Sequence, residues 1–354
     1  MSVNAGIHMT SLDRVLTTLG QKEPDRVPLF LLPTMHGARE LQMPLPEYFS
    51  RAEYVAEGQL RMQARYRNDC LSGFFYGPID TEAWGAEVIF VDDGPPNSGE
   101  PLMSRPEDIL SLEAPDIGEA PCLQKVLKCI RLLKERSTGI PIIGVIMSPF
   151  SLPVMQLGFD NYLDVMLERP ELFKRLMEVN EEFEVAWANA QLQAGATAIV
   201  YFDPVASPTI VPPEFYRRTG MLVAQRTLGR IHGPTATHLA SGRCLTILDD
   251  LAATGTAIVG VSAEEDLAEL KQASAGRLTL IGNLNGIQMR HWSREQTESE
   301  VKSAIAKAGR GGGFILADNH GEIPWQVPEE TLETIAEAVS RWGRYPLEWV
   351  SEDV

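Results

Sequence analysis

Two histidines and one aspartate lie where apolar segments of this sequence end. Asp203 follows the run AIVYF, His238 lies in TATHLASGRC, and His320 lies in ADNHGEIPW. Imidazole is the commonest transition-metal ligand and also transfers protons, and a carboxylate at the end of a buried segment needs a cation or hydrogen-bond donors. If the three side chains converge, they form a catalytic zinc site with an open coordination position that acts as a Lewis acid. The structural alternatives are a core histidine at 238, an Asx-capped loop at 320 and a turn cap before Pro204.

Four further residues are candidates for the same region. Tyr76 is a candidate proton or hydrogen-bond donor, whereas Met147 and Asn283 are candidates for contacts with a cofactor. Cys244 offers a thiolate as an additional metal ligand, but it is predicted to lie inside the helix that follows His238. For Met147 the structural alternative is ordinary packing, because methionine fills irregular gaps in hydrophobic cores.

The elements that would bring these residues together are short apolar runs separated by helical segments. Runs of about four to eight mostly apolar residues are typical of strands buried on both faces, as in a parallel sheet. Eight parallel strands with covering helices close most economically into a (β/α)8 barrel, and a doubly wound open sheet is the alternative. In a barrel, functional residues collect at the carboxyl ends of the strands. The eight runs are VPLFLL (27–32), CLSGFF (70–75), PIIGVI (141–146), AIVYF (198–202), TATHLA (235–240), TAIVGV (256–261), LTLIG (278–282) and GFILA (313–317).

Segments with the apolar periodicity of helices separate these runs. Ser11 is predicted to cap a helix that Gly20 ends, and this helix forms an N-terminal extension before the first strand. A long apolar stripe predicts a helix from Pro170 to about Ala194. Pro328 is predicted to lie in the first turn of the last helix, where a missing N–H costs nothing.

The region from 77 to 120 does not continue this alternation of strands and helices. It contains EVIFVDD and the Pro/Gly-rich stretch DDGPPNSGEPLMSRPED, which predict an excursion from the barrel. No internal repeat or low-complexity segment divides the chain, so we expect a single domain over residues 1–354.

Composition excludes several classes of protein. The 354 residues carry a formal net charge of −17, which is the opposite of the basic surface that nucleic acids or anionic membranes attract. With 44% apolar and 22% charged residues, the chain can bury a full core. The four cysteines form no CxxC, the N-terminus has no signal-peptide pattern, and no segment approaches the roughly 20 apolar residues that span a bilayer. We therefore expect a cytoplasmic protein that binds neither nucleic acid nor membranes.

The order of several segments resembles the uroporphyrinogen decarboxylase superfamily, and within it the corrinoid-dependent methyltransferases more than the decarboxylases. The similar segments cover nearly the whole chain. They are SLDRVLTTLGQKEPDRVPLF, WGAEVIFVDDGPP, MSPFSLPVMQLGFDNYLDVMLERPELFKRLME, DPVASPTIVPPEFYRR, LIGNLNG and GGGFILADNHGEIPWQVPEETL. The fold of this superfamily is a TIM barrel, so the resemblance implies an α/β chain folded as a (β/α)8 TIM barrel, in agreement with the count of apolar runs.

Two departures from the family patterns bear on the substrate and on the metal. The decarboxylases carry an arginine-rich motif near the first strand that holds a porphyrinogen with many carboxylates, whereas the corresponding stretch LLPTMHGAREL has Arg39 as its only arginine. The methyltransferases that act on coenzyme M hold zinc with a His-x-Cys motif and a later cysteine. Here His238 is kept, but Ala240 replaces the first cysteine and His320 lies near the position of the second. A site of nitrogen and oxygen ligands is harder than a sulfur-rich one and less suited to a thiolate.

The resemblance implies a corrinoid-dependent methyltransferase that moves a methyl group between a small methylated compound, for example a methoxylated one, and a separate corrinoid protein. Zinc held by Asp203, His238 and His320 would activate the leaving group, with Tyr76 as a nearby donor. Coordination or protonation of an ether oxygen stabilises the charge that develops as this poor leaving group departs. The direction of transfer stays open. The alternatives are a decarboxylase of another substrate, in which His320 or Tyr76 supplies a proton, and a barrel that docks a corrinoid protein without catalysis.

Overall fold

A parallel sheet forms the centre of the protein, whose computed structural model describes residues 9–274 and 276–350. The strands in these ranges are β1 (Leu71–Ser72), β2 (Val88–Ile89), β3 (Asn97–Ser98), β4 (Ile142–Met147), β5 (Ala198–Phe202), β6 (Thr235–His238), β7 (Ile258–Gly260), β8 (Thr279–Leu284) and β9 (Phe314–Asp318). β1 and β4 to β9 pair in chain order, each parallel to the next, whereas β2 and β3 form a separate antiparallel pair.

The segment 27–32 closes this sheet into a barrel. Leu29 forms a parallel bridge with Leu316 of β9, the last strand of the sheet. On its other side, the Asp69 N–H, just before β1, donates a hydrogen bond to the Leu29 carbonyl at 2.7 Å. The two edges of the sheet are therefore joined through one segment, and the predicted TIM barrel is confirmed.

Seven of the eight apolar runs contain strands among the described residues, and the first run, 27–32, does not. Among the described residues it makes one isolated bridge, from Leu29 to Leu316, and Pro28 has no N–H to donate to a neighbouring strand. Side chains supply part of the missing pairing. The Asn68 side chain both donates to and accepts from the backbone of Leu31, at 3.1 and 3.2 Å, and Asp69 Oδ2 accepts from the Leu29 N–H at 2.8 Å.

Helices follow the strands and cover the sheet. Over the described ranges the α-helices are α1 (Ser11–Leu19), α2 (Gly37–Leu41), α3 (Leu45–Tyr48), α4 (Ala52–Tyr66), α5 (Ile79–Ala83), α6 (Pro121–Arg136), α7 (Pro153–Leu157), α8 (Phe159–Glu168), α9 (Pro170–Ala194), α10 (Pro213–Arg218), α11 (Gly220–Leu228), α12 (Leu248–Ala252), α13 (Leu267–Ser274), α14 (Arg294–Ala308) and α15 (Glu329–Trp342). Short 3₁₀ segments are Thr34–His36, Pro106–Ser111, Pro204–Ala206, Leu245–Ile247 and Gln288–His291. In the part of the chain that the structure describes, none of the helices combines the length and the apolar character needed to cross a membrane.

The predicted helix boundaries differ from the observed ones by one residue at two places. Thr10, and not Ser11, caps α1, because the Thr10 hydroxyl accepts from the Asp13 N–H at 3.1 Å. The Ser11 hydroxyl is engaged elsewhere and donates to Asp69 at 2.9 Å. Pro328 is the N-cap of α15 and not its first helical residue. The long helix predicted from Pro170 is found as α9.

Burial alternates along β4, and the less buried side chains line an internal cavity. Ile142 and Ile146 are buried in the core that includes side chains of α6 and α9. Ile143, Val145 and Met147 alternate with buried residues of the strand and are only partly buried. Successive side chains of a strand point to opposite faces, so these three point into the barrel, and all three line an open cavity there.

Residues 77–120 lie outside the barrel sheet, as predicted for the excursion. They contain α5 and the hairpin of β2 and β3, in which Val88 pairs with Ser98. The tip of this hairpin returns to the barrel, because Pro95, Pro96 and Asn97 line the same cavity as β4. The excursion therefore supplies one wall of the space at the carboxyl ends of the strands.

Candidate active site

A cavity of about 360 Å³ lies at the carboxyl ends of the strands, where a parallel barrel positions functional residues. Its volume is at the lower end of the range of about 300–1,000 Å³ that is usual for small-molecule sites. Most of its surface is apolar, and much of it comes from inward side chains of the barrel: Phe30, Phe74, Val145, Val200, Phe202 and Ile281. The cavity therefore suits a small ligand with an apolar body.

The ionisable groups around the cavity are imidazoles and carboxyl groups. They are His238, His320, Asp80, Asp318 and Glu322. Among the described residues that line the cavity there is no lysine or arginine. A ligand with several carboxylates would meet other carboxyl groups there and no cation to compensate its charge.

Arg39, the arginine of LLPTMHGAREL, lies away from the cavity. Its guanidinium lies 3.9 Å from the centroid of the Trp325 ring, which is a cation–π contact. It also donates to the carbonyl of Val327 at 3.2 Å and to that of Trp325. Its charge therefore holds the loop before α15 and is not presented to a ligand.

His238, at the end of β6, is a hydrogen-bond donor to the cavity. Its Nδ1 accepts from the Ala240 N–H at 3.0 Å, so the neutral ring carries its proton on Nε2. Phe202 stacks on the ring with centroids 5.6 Å apart. Burial, together with the nearby His320, lowers the pKa of His238 to about 4, so the ring is neutral at pH 7. This histidine thus offers a neutral N–H at a fixed place.

Two glycines leave room for this ring. A Cβ on Gly260 of β7 would lie 2.4 Å from His238 Cδ2, so any side chain at this position would displace the imidazole. Gly321 has a φ of +98°, and a Cβ there would lie 3.2 Å from Phe202 and 3.7 Å from His238 Cε1. The backbone after β9 therefore passes close over the two stacked rings, and this position requires glycine.

His320 lies on the same side of the cavity as His238. Its Nδ1 is hydrogen-bonded to the Ser241 hydroxyl, and its Nε2 is buried without a hydrogen-bond partner. The His320 and Gly321 N–H groups both donate to Asp318 Oδ2, at 3.2 and 3.1 Å, which fixes the loop. Burial lowers the pKa of His320, and Asp318 opposes this shift. The structure thus brings the two predicted histidines together.

Asp203 does not join the histidines, although the sequence predicts that it does. It is buried outside the lining of the cavity, and its Oδ1 accepts from the hydroxyls of Ser148 and Ser151, both at 2.6 Å. Its backbone N–H donates to the carbonyl of His238 at 2.8 Å. Burial raises the pKa of Asp203 to about 6, against the effect of the two serines. Asp203 therefore connects the loop after β4 to the end of β6.

The remaining predicted residues are divided between the cavity and the core. Met147 lines the cavity, as predicted for a contact residue. Tyr76 does not, since it is buried and its hydroxyl donates to Glu82 Oε2 at 2.6 Å. The Asn283 side chain donates to the Ser262 carbonyl at 2.9 Å and is also outside the lining.

The donor set does not fit a three-ligand zinc site. Over the described ranges, no three side chains of histidine, cysteine, aspartate or glutamate are grouped so as to hold a metal ion. Asp203 is held by two serines, and the lone pair of His238 Nδ1 already accepts the Ala240 N–H. Cys244 is buried just before the 3₁₀ segment Leu245–Ile247 and not within a helix, and burial raises the pKa of its thiol. The predicted set of Asp203, His238 and His320 is therefore not assembled.

Besides Asp318, which binds the loop after β9, two carboxyl groups of the cavity were not predicted as site residues. Glu322 has an Oε1 without a hydrogen-bond partner, and burial raises its pKa to about 8. Asp80 lies in α5, and its Oδ2 accepts from the Met147 N–H at 2.9 Å. The sequence signal for both is weak, because Asp80 lies in the polar segment GPIDTEAW and Glu322 follows the more conspicuous His320.

Comparisons with known proteins agree with this architecture. The match to the family described as "Uroporphyrinogen decarboxylase (URO-D)" covers residues 10–342. The "Methylcobamide:CoM methyltransferase MtaA" of Methanosarcina barkeri is 28% identical over 218 residues, which are 60% of this chain and 62% of that protein, so less than two thirds of its length is matched. A uroporphyrinogen decarboxylase of Burkholderia pseudomallei (strain 668) is 25% identical over 358 residues, 92% of this chain and 94% of that protein.

A solved structure shares the fold over nearly its full length. It is a methyltransferase from Methanosarcina mazei with a TM-score of 0.85 and 21% sequence identity, and the match covers 94% of this chain and 99% of that one. The family model extends over most of the chain. The resemblance predicted from the sequence is thus confirmed, and the chain belongs to the uroporphyrinogen decarboxylase (URO-D) family, whose members include both decarboxylases and methyltransferases.

Proposed function

We propose that this protein is a methyltransferase that moves a methyl group between a small methylated compound, such as a methoxylated one, and the corrinoid of a separate protein. The observation that carries the proposal is the cavity, which has apolar walls, two imidazoles and, among its described lining residues, no lysine or arginine. Such a site suits an uncharged compound with an oxygen that accepts a hydrogen bond. The similarity to a methylcobamide:CoM methyltransferase supports the transfer of a methyl group.

His238 would bind the oxygen from which the methyl group departs. Its Nε2–H is fixed by the hydrogen bond at Nδ1 and by the stacked Phe202. A preformed donor in a dry site stabilises negative charge that develops on an oxygen in the transition state. The corrinoid would supply the nucleophile that accepts the methyl group, and the same contacts serve the reverse direction.

A decarboxylase of another substrate is the competing function, because a uroporphyrinogen decarboxylase matches a larger share of the chain. The cavity disfavours a polycarboxylate, because the ionisable groups that line it are carboxyl groups and imidazoles, and the ring of His238 is neutral. A single carboxylate could still bind at the histidines. The two functions therefore have to be separated by the product that the protein forms.

The test is methyl transfer from 2-methoxyphenol to reduced cobalamin under anaerobic conditions, followed by the absorbance change of the corrinoid and by release of catechol. We expect transfer with the wild-type protein and very little with His238→Ala. The His232→Ala variant serves as a control, because His232 is an exposed histidine outside the cavity. Failure across a panel of methoxylated donors, and of methylated cobalamin as donor in reverse, would reject the proposal. Binding of a corrinoid protein without transfer in either direction would support a docking role, and release of CO2 from a carboxylated compound a decarboxylase.

Zinc is not part of the proposed step, and its content can be measured independently of activity. We expect elemental analysis to find far less than one zinc ion per chain, and activity to survive dialysis against a chelator, because the candidate ligands are not assembled. A double variant with Ala240→Cys and His320→Cys restores the sulfur ligands of the related methyltransferases and is the positive control for zinc uptake. Stoichiometric zinc that is lost in His238→Ala would show that the ring binds metal after all.

We also propose the cytoplasm as the location. Cys70, Cys122, Cys129 and Cys244 are free, buried thiols, which is the usual state in a reducing compartment. A reduced corrinoid would require such a compartment as well.

A further inference from the structure

A second cavity, of about 910 Å³, lies at the other end of the barrel. Arg26 precedes the segment 27–32 and Arg67 precedes β1, so this cavity opens at the amino ends of the strands. Among the described residues it shares no lining residue with the cavity around His238. We call it the arginine groove, because its charged lining residues are Arg14, Arg26, Arg67 and Arg344, with Asp25 as the carboxylate.

The buried side of the arginine groove is a network of ion pairs. Arg14 is 5% exposed, and its Nε and Nη2 donate to the two carboxylate oxygens of Asp25, both at 2.7 Å. Its Nη1 donates to Asp69 at 2.6 Å, and Arg26 Nη1 donates to the same carboxylate at 2.8 Å. Two arginines are thus matched by two aspartates, so this side of the groove needs no further anion.

The exposed side of the arginine groove carries two guanidinium groups without a carboxylate. Over residues 9–274 and 276–350, neither Arg67 nor Arg344 forms an ion pair, and both side chains are exposed. Both contact Ser340 instead. Arg67 Nη1 lies 3.5 Å from the Ser340 hydroxyl, and Arg344 Nε donates to the Ser340 carbonyl at 3.1 Å. The two side chains therefore converge on one residue and keep most of their N–H groups free.

The backbone adds a further positive charge beside them. Arg26 and Arg344 face each other in an antiparallel bridge, and the Tyr345 N–H donates to the Asp25 carbonyl at 3.2 Å. Opposed residues of such a pair lie on the same side, where two like charges are destabilising. Asp69 compensates Arg26, whereas no carboxylate of the described chain compensates Arg344. An anion in the groove would remove this repulsion.

The charge balance of the arginine groove favours a small anion. Four arginines against Asp25 and Asp69 leave two positive charges, in a chain whose formal net charge is −17. A small ligand meets this local charge, whereas an extended nucleic acid or an anionic membrane also meets the acidic surface around it. Guanidinium groups match the oxygens of a phosphate with paired hydrogen bonds.

We propose that the arginine groove binds a small phosphorylated molecule, with its phosphoryl group held by Arg67 and Arg344. This site is separate from the proposed methyl transfer, since active sites of barrels lie at the carboxyl ends of the strands. The ligand would connect the end of α4 to the segment after α15, beside the segment that closes the barrel. A ligand that binds only the folded chain stabilises it, so occupation of the groove would strengthen this closure.

The first test is isothermal titration calorimetry of the whole protein with inorganic pyrophosphate at low ionic strength. We expect saturable binding of one molecule per chain. Arg67→Gln and Arg344→Gln should each weaken the affinity by about 10- to 100-fold, the usual effect of losing a hydrogen bond to a charged group. Arg67→Lys keeps the charge but not the paired N–H groups, so it should recover only part of the affinity.

The matched control is Arg131→Gln, at an exposed arginine of α6 that lies outside the groove and forms no ion pair within the described ranges. This variant should bind pyrophosphate as the wild type does, and so should His238→Ala. Absence of saturable binding would overturn the proposal. So would an affinity that Arg67→Gln and Arg344→Gln leave unchanged.

Citrate and a DNA duplex test the class of ligand at the same ionic strength. We expect both to bind at least about 10-fold more weakly than pyrophosphate, because citrate lacks a phosphoryl group and the acidic surface repels the duplex. Equal or tighter binding of citrate would show a general anion site and overturn the assignment to phosphate. Tighter binding of the duplex, lost in Arg67→Gln, would replace the small molecule by a nucleic acid.

Thermal unfolding followed by circular dichroism gives an independent measurement. Pyrophosphate should raise the Tm of the wild type and of Arg131→Gln, relative to potassium chloride at equal ionic strength. The double variant with Arg67→Gln and Arg344→Gln should fold and show no such rise. An equal rise in the double variant would show that pyrophosphate acts elsewhere on the protein and would overturn the proposal. None of these measurements depends on methyl transfer, so failure of the proposed function leaves them unaffected.

Discussion

Replacing His238 with alanine is expected to lower kcat/KM for methyl transfer by about 10²–10³-fold, the usual loss when one preformed donor to a developing oxyanion is removed. The Nε2–H of His238 is held by the Ala240 N–H at Nδ1 and by the stacked Phe202, so it needs no reorganisation during the reaction. Steady-state kinetics with 2-methoxyphenol and reduced cobalamin measure the change. The His238→Gln variant keeps an N–H donor and should recover part of the rate.

A second variant tests the position of the ring while leaving it chemically intact. The Gly260→Ala substitution would put a Cβ 2.4 Å from His238 Cδ2, so the imidazole must move. We expect a loss of activity that approaches that of His238→Ala, with a folded protein by circular dichroism. Full activity in both variants would show that His238 is a core residue and that the donor to the oxygen lies elsewhere.

Replacing Asp69 with alanine is expected to lower the free energy of unfolding by about 3–5 kcal/mol, the usual loss when one partner of a buried ion pair is removed. Asp69 is 1% exposed and accepts from Arg14 at 2.6 Å and from Arg26 at 2.8 Å. It also accepts from the Leu29 N–H at 2.8 Å, in the segment that closes the barrel. Its removal leaves Arg26 without a carboxylate partner and Arg14 with Asp25 alone, where the two edges of the sheet meet.

Urea denaturation followed by circular dichroism measures this loss, and an exposed ion pair provides the control. Asp249 pairs with Arg277 at 2.7 Å, but the Asp249 side chain is 81% exposed. Asp249→Ala should therefore cost less than about 1 kcal/mol. Asp69→Asn should lie between the two, because it keeps an acceptor for Leu29 but loses the charge. Equal effects of the two alanine substitutions would show that the closure of the barrel does not depend on Asp69.

The fold was predictable because apolar runs report burial on both faces of a strand, and this signal is local. β4 and β9 follow directly from PIIGVI and GFILA. The segment 27–32 shows the limit of this signal, since its apolar residues predict a strand but Pro28 limits its pairing. Its partners Asn68 and Asp69 are distant in sequence and polar, and no local pattern connects them to it.

The site was only partly predictable, because hydrogen bonds decide what each residue can do. The histidines at 238 and 320 are brought together because His238 ends β6 and His320 follows β9, both at the carboxyl end of the barrel. Asp203 also follows a strand, but Ser148 and Ser151 bind its carboxylate outside the cavity, and only the tertiary structure shows this. Asp80 lies in a helix of the excursion, where an aspartate in the sequence is normally a solvated residue, so its burial could not be anticipated.

The hairpin of β2 and β3 pairs only with itself, within the described residues, yet Pro95, Pro96 and Asn97 form part of the wall around a ligand. Its length and composition can therefore change without shifting the register of any barrel strand. Over evolutionary time this makes the hairpin a replaceable module, and relatives with the same barrel can acquire new substrates through it. Grafting the hairpin of one relative onto the barrel of another should transfer substrate preference while the reaction chemistry stays with the recipient.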